Sequence, residues 1–127
     1  MGHHAITHEV WDAQVTQELV DVDAWYARQF AYLLESLAAV PEETGTLLDH
    51  TLVLWVNELD EGYGHSFGNM PYVLAGGAGG QLETGRCVTY QDTSHTDMLV
   101  SILQLMGVSV DTFGQPEYCK GPLSGLV

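Results

Sequence analysis

Basic residues are nearly absent from this sequence. Arg28, Arg86 and Lys120 stand against 17 carboxylates, for a formal net charge of -14. So few cations cannot neutralise a run of phosphates, which argues against nucleic acid and anionic membrane surfaces as partners. The acidic excess is compatible with cation binding, or with a solvated acidic surface of no specific role. Long apolar runs are also lacking: no stretch reaches the ~18 residues of a membrane span. The start of the chain shows no basic segment followed by an apolar one, so no secretory signal is expected. Cysteine is scarce. Cys87 and Cys119 are too far apart for a zinc knuckle and leave two options open, one disulfide or two thiols.

Several nucleotide-site signatures are missing as well. The glycine run Gly76 to Gly80 lacks the Lys-Ser/Thr of a phosphate-binding loop and leads toward extended structure rather than a helix. Close backbone packing or a tight turn is its expected role. There is no nucleophile elbow, and Ser66 has no identifiable base.

At 46% hydrophobic the chain can bury a core. Trp11, Val15, Leu19, Val22, Tyr26, Phe30, Leu33, Leu37 and Val40 recur at steps of three and four, which predicts one long amphipathic helix ended by Pro41. Thr7 is the expected N-cap, with Glu9 in the first turn. Thr51 to Val56 is short, β-rich and almost entirely apolar. It reads as a strand buried on both faces, of the kind found in parallel sheets, with Asn57 and Glu58 at its C-terminal end. Tyr72 to Ala75 reads as a second such strand, and residues 81–90 as extended. A second helix is expected near residues 94–106, with Ser94 and Asp97 at capping-box spacing and Gly107 as its stop. The tail from Phe113 reads as ordered coil. The order helix, strand, strand, helix is α/β in class, but the strands are too few for a closed sheet. A buried central strand needs neighbours, so residues 1–127 read as one domain that is part of a larger one, or that borrows the rest from another chain covering its sheet edges.

Three places could carry chemistry. His4 and His8 are four residues apart and share a face if helical, which suits a divalent metal. A frayed terminus or the vestige of an affinity tag would look the same. Glu58, ending a buried strand, points where α/β folds place ligands, although Asp60 and Glu61 beside it look like surface. His65 follows Glu58 by seven residues in a glycine-containing loop, and the pair suits a mixed nitrogen and oxygen ligand set. His95 and Asp97 open the second helix. Capping accounts for Asp97, and both are candidates for an outer layer of the site. His3 and His50 have no context that lifts them above exposed histidines.

Residues 47–60, the stretch His65 to Gly80, Thr84 to Arg86, the helix start His95 to Ser101 and the ending Thr112 to Leu123 together resemble the C-terminal part of the DUF1552 family. That family is named for an H-x-x-S-H-H motif and is related to the alkaline phosphatase-like superfamily. His4-Ala5-Ile6-Thr7-His8-Glu9 matches the motif with Thr7 for the serine and Glu9 for the last histidine. The resemblance implies a partial alkaline phosphatase-like sheet in which His8, Glu58 and His65 come together as metal ligands, with His4 as a weaker fourth. Zinc, manganese or calcium would be the metal, and Arg86 a candidate anion contact, although an ion-pair partner in an acidic chain explains it equally well. It also implies a nucleophile supplied by an N-terminal half, export of the whole protein to the periplasm or beyond, and a metal-assisted hydrolase of phosphate or sulfate esters, inactive without that half. A non-catalytic module of the cell envelope with a structural or vestigial metal is the alternative. A truncated product with sticky sheet edges is a third.

Overall fold

The computed structural model describes residues 2–126, which divide into two compact units. The first comprises residues up to 40 together with residues 53–75, and the second comprises residues 41–52 and 76 onward. Each is described by itself.

In the first unit the expected long helix is present but starts later than Thr7. A single-turn helix α1 (His3–Ile6) is followed by turns, and the main helix α2 spans Ala13–Ala38. Thr7 therefore closes a helix instead of opening one. It is the C-cap of α1, and its hydroxyl donates to the carbonyl of His4 at 2.8 Å. The N-cap of α2 is Asp12, whose carboxylate accepts from the backbone N–H groups of Gln14 (2.8 Å) and Val15 (3.3 Å). An Asp at that position satisfies two otherwise orphaned donors, which sets the start of the helix there. Trp11 falls on the apolar period only by coincidence of spacing. It lies outside the helix and is 75% exposed.

Strands β1 (Val53–Val56) and β2 (Tyr72–Ala75) pair with each other, Val53 opposite Ala75 and Val56 opposite Tyr72. The pairing is antiparallel, not parallel as the apolar run suggested, and both strands are at most half-buried. The physical reason lies in the connection. Residues 57–71 contain no helix, and a parallel crossover would ordinarily require one. The mixed α/β class holds, carried by helices and one two-stranded antiparallel sheet. Phe30 of α2 packs against Trp55 of β1 with ring centres 5.1 Å apart, which fastens the helix to the sheet.

The second unit is built around α3 (His95–Leu105), whose Met98, Val100, Ser101 and Leu105 are buried. The expected capping box is present. Ser94 caps the helix, and its own N–H donates to the Asp97 carboxylate at 3.1 Å. Gly107, at φ +80°, follows the helix end. Residues 81–90 form no strand, contrary to the extended reading. The glycine run is a packing device. Gly76 and Gly77 lie so close to the carbonyls of Thr51 and Asp49 that a Cβ would collide with them, and Gly77 donates its N–H to the Leu48 carbonyl. Neither cysteine is paired. Among the described residues no helix is long and apolar enough to cross a membrane.

Candidate functional site: a histidine cluster in the first unit

Three imidazoles meet in the first unit. His4 comes from α1, His8 from the turn after it, and His65 from the loop between β1 and β2. The ring centres are 4.9 Å apart for His4 and His8, 5.1 Å for His8 and His65, and 6.2 Å for His4 and His65. His8 lies edge-on to both neighbours.

Two local devices bring the loop to the N-terminal segment. Gly62 lies against Thr7 so closely that a Cβ there would sit 2.6 Å from the Thr7 Cβ. Trp11 meets Tyr63 edge-to-face at 4.8 Å. Residues 62–63 are thus held against residues 7–11, and His65 is carried to His8 as a result. His65 itself has φ +52°, an unusual backbone conformation that histidine tolerates better than most side chains.

The loop is closed by Asp60. Its backbone N–H donates to the Ser66 carbonyl at 3.0 Å. Its side chain accepts from the Ser66 hydroxyl at one oxygen, and from the N–H groups of Gly68 (3.0 Å) and Asn69 (3.1 Å) at the other. The Ser66 hydroxyl, helped by these backbone donors, holds the Asp60 carboxyl below the usual carboxylate range. The sequence reading took Asp60 for surface; it is half-buried and organises the loop.

A cleft of about 350 Å³ lies beside the cluster, lined among others by His3, His4, Asn57, Glu58, Asp60 and His65. No lysine or arginine lines it. Glu58 follows the end of β1 and lines this cleft, although the strand it ends is antiparallel and not the buried parallel strand on which its candidacy rested. As the side chains stand, however, no group of three or more His, Cys, Asp or Glu among the described residues is disposed to hold a metal ion. The rings cluster without converging their donor atoms.

The remaining candidates belong to the second unit. Arg86 donates to the carbonyls of Glu83 (3.0 Å), Gly125 (2.8 Å) and Leu126 (2.9 Å), and its guanidinium lies 3.6 Å from the Glu83 carboxylate. These bonds tie the chain end to residues 83–86. Asp97 is 2% exposed, and besides Ser94 it accepts from the Lys120 N–H at 2.6 Å. Burial alone would raise its pKa, but the N–H groups of Lys120 and Ser94 and the Cys119 thiol outweigh that and lower it. His95 is exposed at the first position of α3. His50 bonds the Thr44 carbonyl at 2.6 Å in a separate hollow with Glu42 and Glu43.

No family model matches the chain, and no curated protein or solved structure gives a significant match.

Proposed function

We propose that the first unit is a divalent-metal-binding module of the metal-dependent hydrolase type, with His4, His8, His65 and Glu58 as the ligand set. The observation that carries the reading is the meeting of two imidazoles of the N-terminal segment, His4 and His8, with His65 from the β1–β2 loop, all ring centres within 6.2 Å, beside a cleft that Glu58 lines. A tetrahedral ion with Zn–N bonds of about 2.0–2.1 Å would hold three imidazole rings with their centres roughly 5 Å apart, close to the spacing present. Turning the rings about their side-chain torsions would direct nitrogens inward. A nitrogen-rich set with one carboxylate suits zinc first and manganese second, and suits calcium poorly, because calcium takes oxygen ligands.

The cleft lining also bears on substrate. It offers carboxylates and imidazoles and no fixed cation, so an anionic phosphate or sulfate ester would depend on the bound ion for attraction. The hydroxyls of Thr7 and Ser66, each adjacent in sequence to a cluster histidine, already donate to the His4 carbonyl and to Asp60. That engagement favours the second reading, a metal-binding module that does no chemistry by itself, and turnover would need a nucleophile supplied from elsewhere.

The test is metal content by mass spectrometry after purification without a tag, repeated on His8→Ala and Glu58→Ala. Stoichiometric zinc or manganese, lost in both variants, is the expected result. A folded wild-type protein that retains no metal and takes up none would sink the proposal. Adding a chromogenic phosphate or sulfate monoester to the metal-loaded protein separates the hydrolase from the non-catalytic module.

A further inference from the structure

The geometry points to Asp60 as the residue that positions His65 in the cluster without itself binding the ion, an inference that rests on the metal-binding reading above. Two carboxylates line the cleft from the β1–β2 connection, Glu58 and Asp60, and either could be taken for the acidic ligand. Their engagement differs. Both oxygens of Asp60 are occupied: one accepts from the Ser66 hydroxyl, the other from the N–H groups of Gly68 and Asn69. A carboxylate with three donors already on it would have to break its own loop to coordinate a cation. Among the described residues nothing hydrogen-bonds to the Glu58 carboxylate, which leaves it free to turn toward the rings.

The bonds made by Asp60 enclose His65. The Asp60 N–H to the Ser66 carbonyl and the bridge between Glu61 and Ser66 pin the backbone on either side of the 61–66 turn. The Ser66 hydroxyl bond fixes the residue directly after His65. His65 is thereby kept at φ +52°, a conformation that a loosely held histidine would leave for a more populated region. Asp60 does for His65 what an outer hydrogen-bonding partner does for a ligating histidine, but through the backbone and not through the ring.

The distinguishing experiment compares Asp60→Ala with Asp60→Asn in the full chain. An asparagine can keep the latch. Its amide oxygen accepts from the Gly68 and Asn69 N–H groups, and its NH₂ donates to the Ser66 oxygen, whose proton turns away. Two readouts are taken: nuclear Overhauser contacts between the His8 and His65 rings in metal-free protein, and affinity for zinc with the absorption spectrum of bound cobalt. Wild type and Asp60→Asn should show the ring contacts, bind zinc alike and give the same cobalt spectrum. Asp60→Ala should lose the contacts and bind zinc about 10- to 100-fold more weakly, the usual loss for an outer partner. If Asp60→Asn loses affinity as Asp60→Ala does, with an altered cobalt spectrum, Asp60 is a ligand and the inference is overturned. Ring contacts unchanged in Asp60→Ala overturn it too. Contacts that follow the expected pattern in a protein that binds no metal would uphold the positioning role and remove the metal reading instead.

Discussion

Replacing Gly62 by alanine tests the contact that assembles the cluster. The new Cβ would lie 2.6 Å from the Thr7 Cβ, 2.8 Å from its Oγ1 and 3.2 Å from its Cγ2. Carbon atoms settle at about 3.5–4.0 Å, so the loop and the Thr7 segment must separate by roughly 1 Å. Thr7 cannot yield by changing rotamer, because the closest atom is its Cβ. Overpacking of this kind costs about 1–3 kcal/mol. Gly62 is not among the glycines with positive φ, so alanine is acceptable to the backbone, and the less flexible unfolded chain returns about 0.4–1 kcal/mol. The clash wins, for a net loss of about 1–2 kcal/mol. Trp11, Trp25 and Trp55 all lie in the first unit, so tryptophan fluorescence during urea unfolding reports that unit alone. With a urea slope of about 1–3 kcal/mol/M, the midpoint should fall by roughly 0.5–1.5 M. The His8–His65 ring contacts should weaken in parallel. Thr7→Gly removes the opposing Cβ, so in the double variant Gly62→Ala should cost little beyond what Thr7→Gly costs alone, a coupling of about 1–2 kcal/mol. An unchanged midpoint for Gly62→Ala, or simple additivity in the double variant, would refute the reasoning.

Two further outcomes concern the second unit. Asp97→Asn should destabilise it by about 1–3 kcal/mol, because both carboxylate oxygens accept backbone N–H groups and an amide can satisfy only one of them. Hydrogen exchange of the α3 amides measures the loss. Since the folded pKa of Asp97 lies below its unfolded value, near 3.9, its contribution is complete above that value. It is lost as pH falls through the folded pKa, and the acid-induced loss of α3 protection should be shallower in the Asn variant. Gly76→Ala meets the Thr51 carbonyl at φ +94°, where an L side chain is disfavoured whatever the space. It should cost more than Gly62→Ala and abolish slow exchange in α3. Ordinary α3 protection in that variant would show that the glycine run is not a packing device.

Legibility in the sequence followed the range of the interaction. The capping box of α3 is written in two residues three apart, Ser94 and Asp97, and the structure forms it. The glycine run was readable as backbone packing because no side chain in it could do anything else. The β1 pairing was not readable, since an apolar run looks alike in parallel and antiparallel sheets. The evidence for antiparallel pairing lay in residues 57–71, which have no helical period to make a crossover. The start of α2 was misplaced because Trp11 is four residues before Val15 and imitates a helical face, while Asp12 carried the true start signal. Asp60 was overlooked because an acidic pair reads as solvent-facing. Its signal was the following Gly-Tyr-Gly-His-Ser, a turn that an aspartate at its entrance can close from both sides.

The candidate site shows the same limit from another direction. His4, His8 and His65, picked out by residue type and spacing, do come together. What holds them together is a glycine against a threonine methine and one aromatic pair, Trp11 with Tyr63, contacts between segments that no local pattern encodes. The apolar period of α2 makes the point in reverse. It was legible as a face, yet no residue of α2 is buried, and Tyr26 and Leu33 on that face are 47% and 44% exposed. Periodicity states which side of a helix is apolar and says nothing about what lies against it. A sheet of two four-residue strands is too narrow to cover seven turns of helix. The pattern that identified the helix therefore could not locate a core.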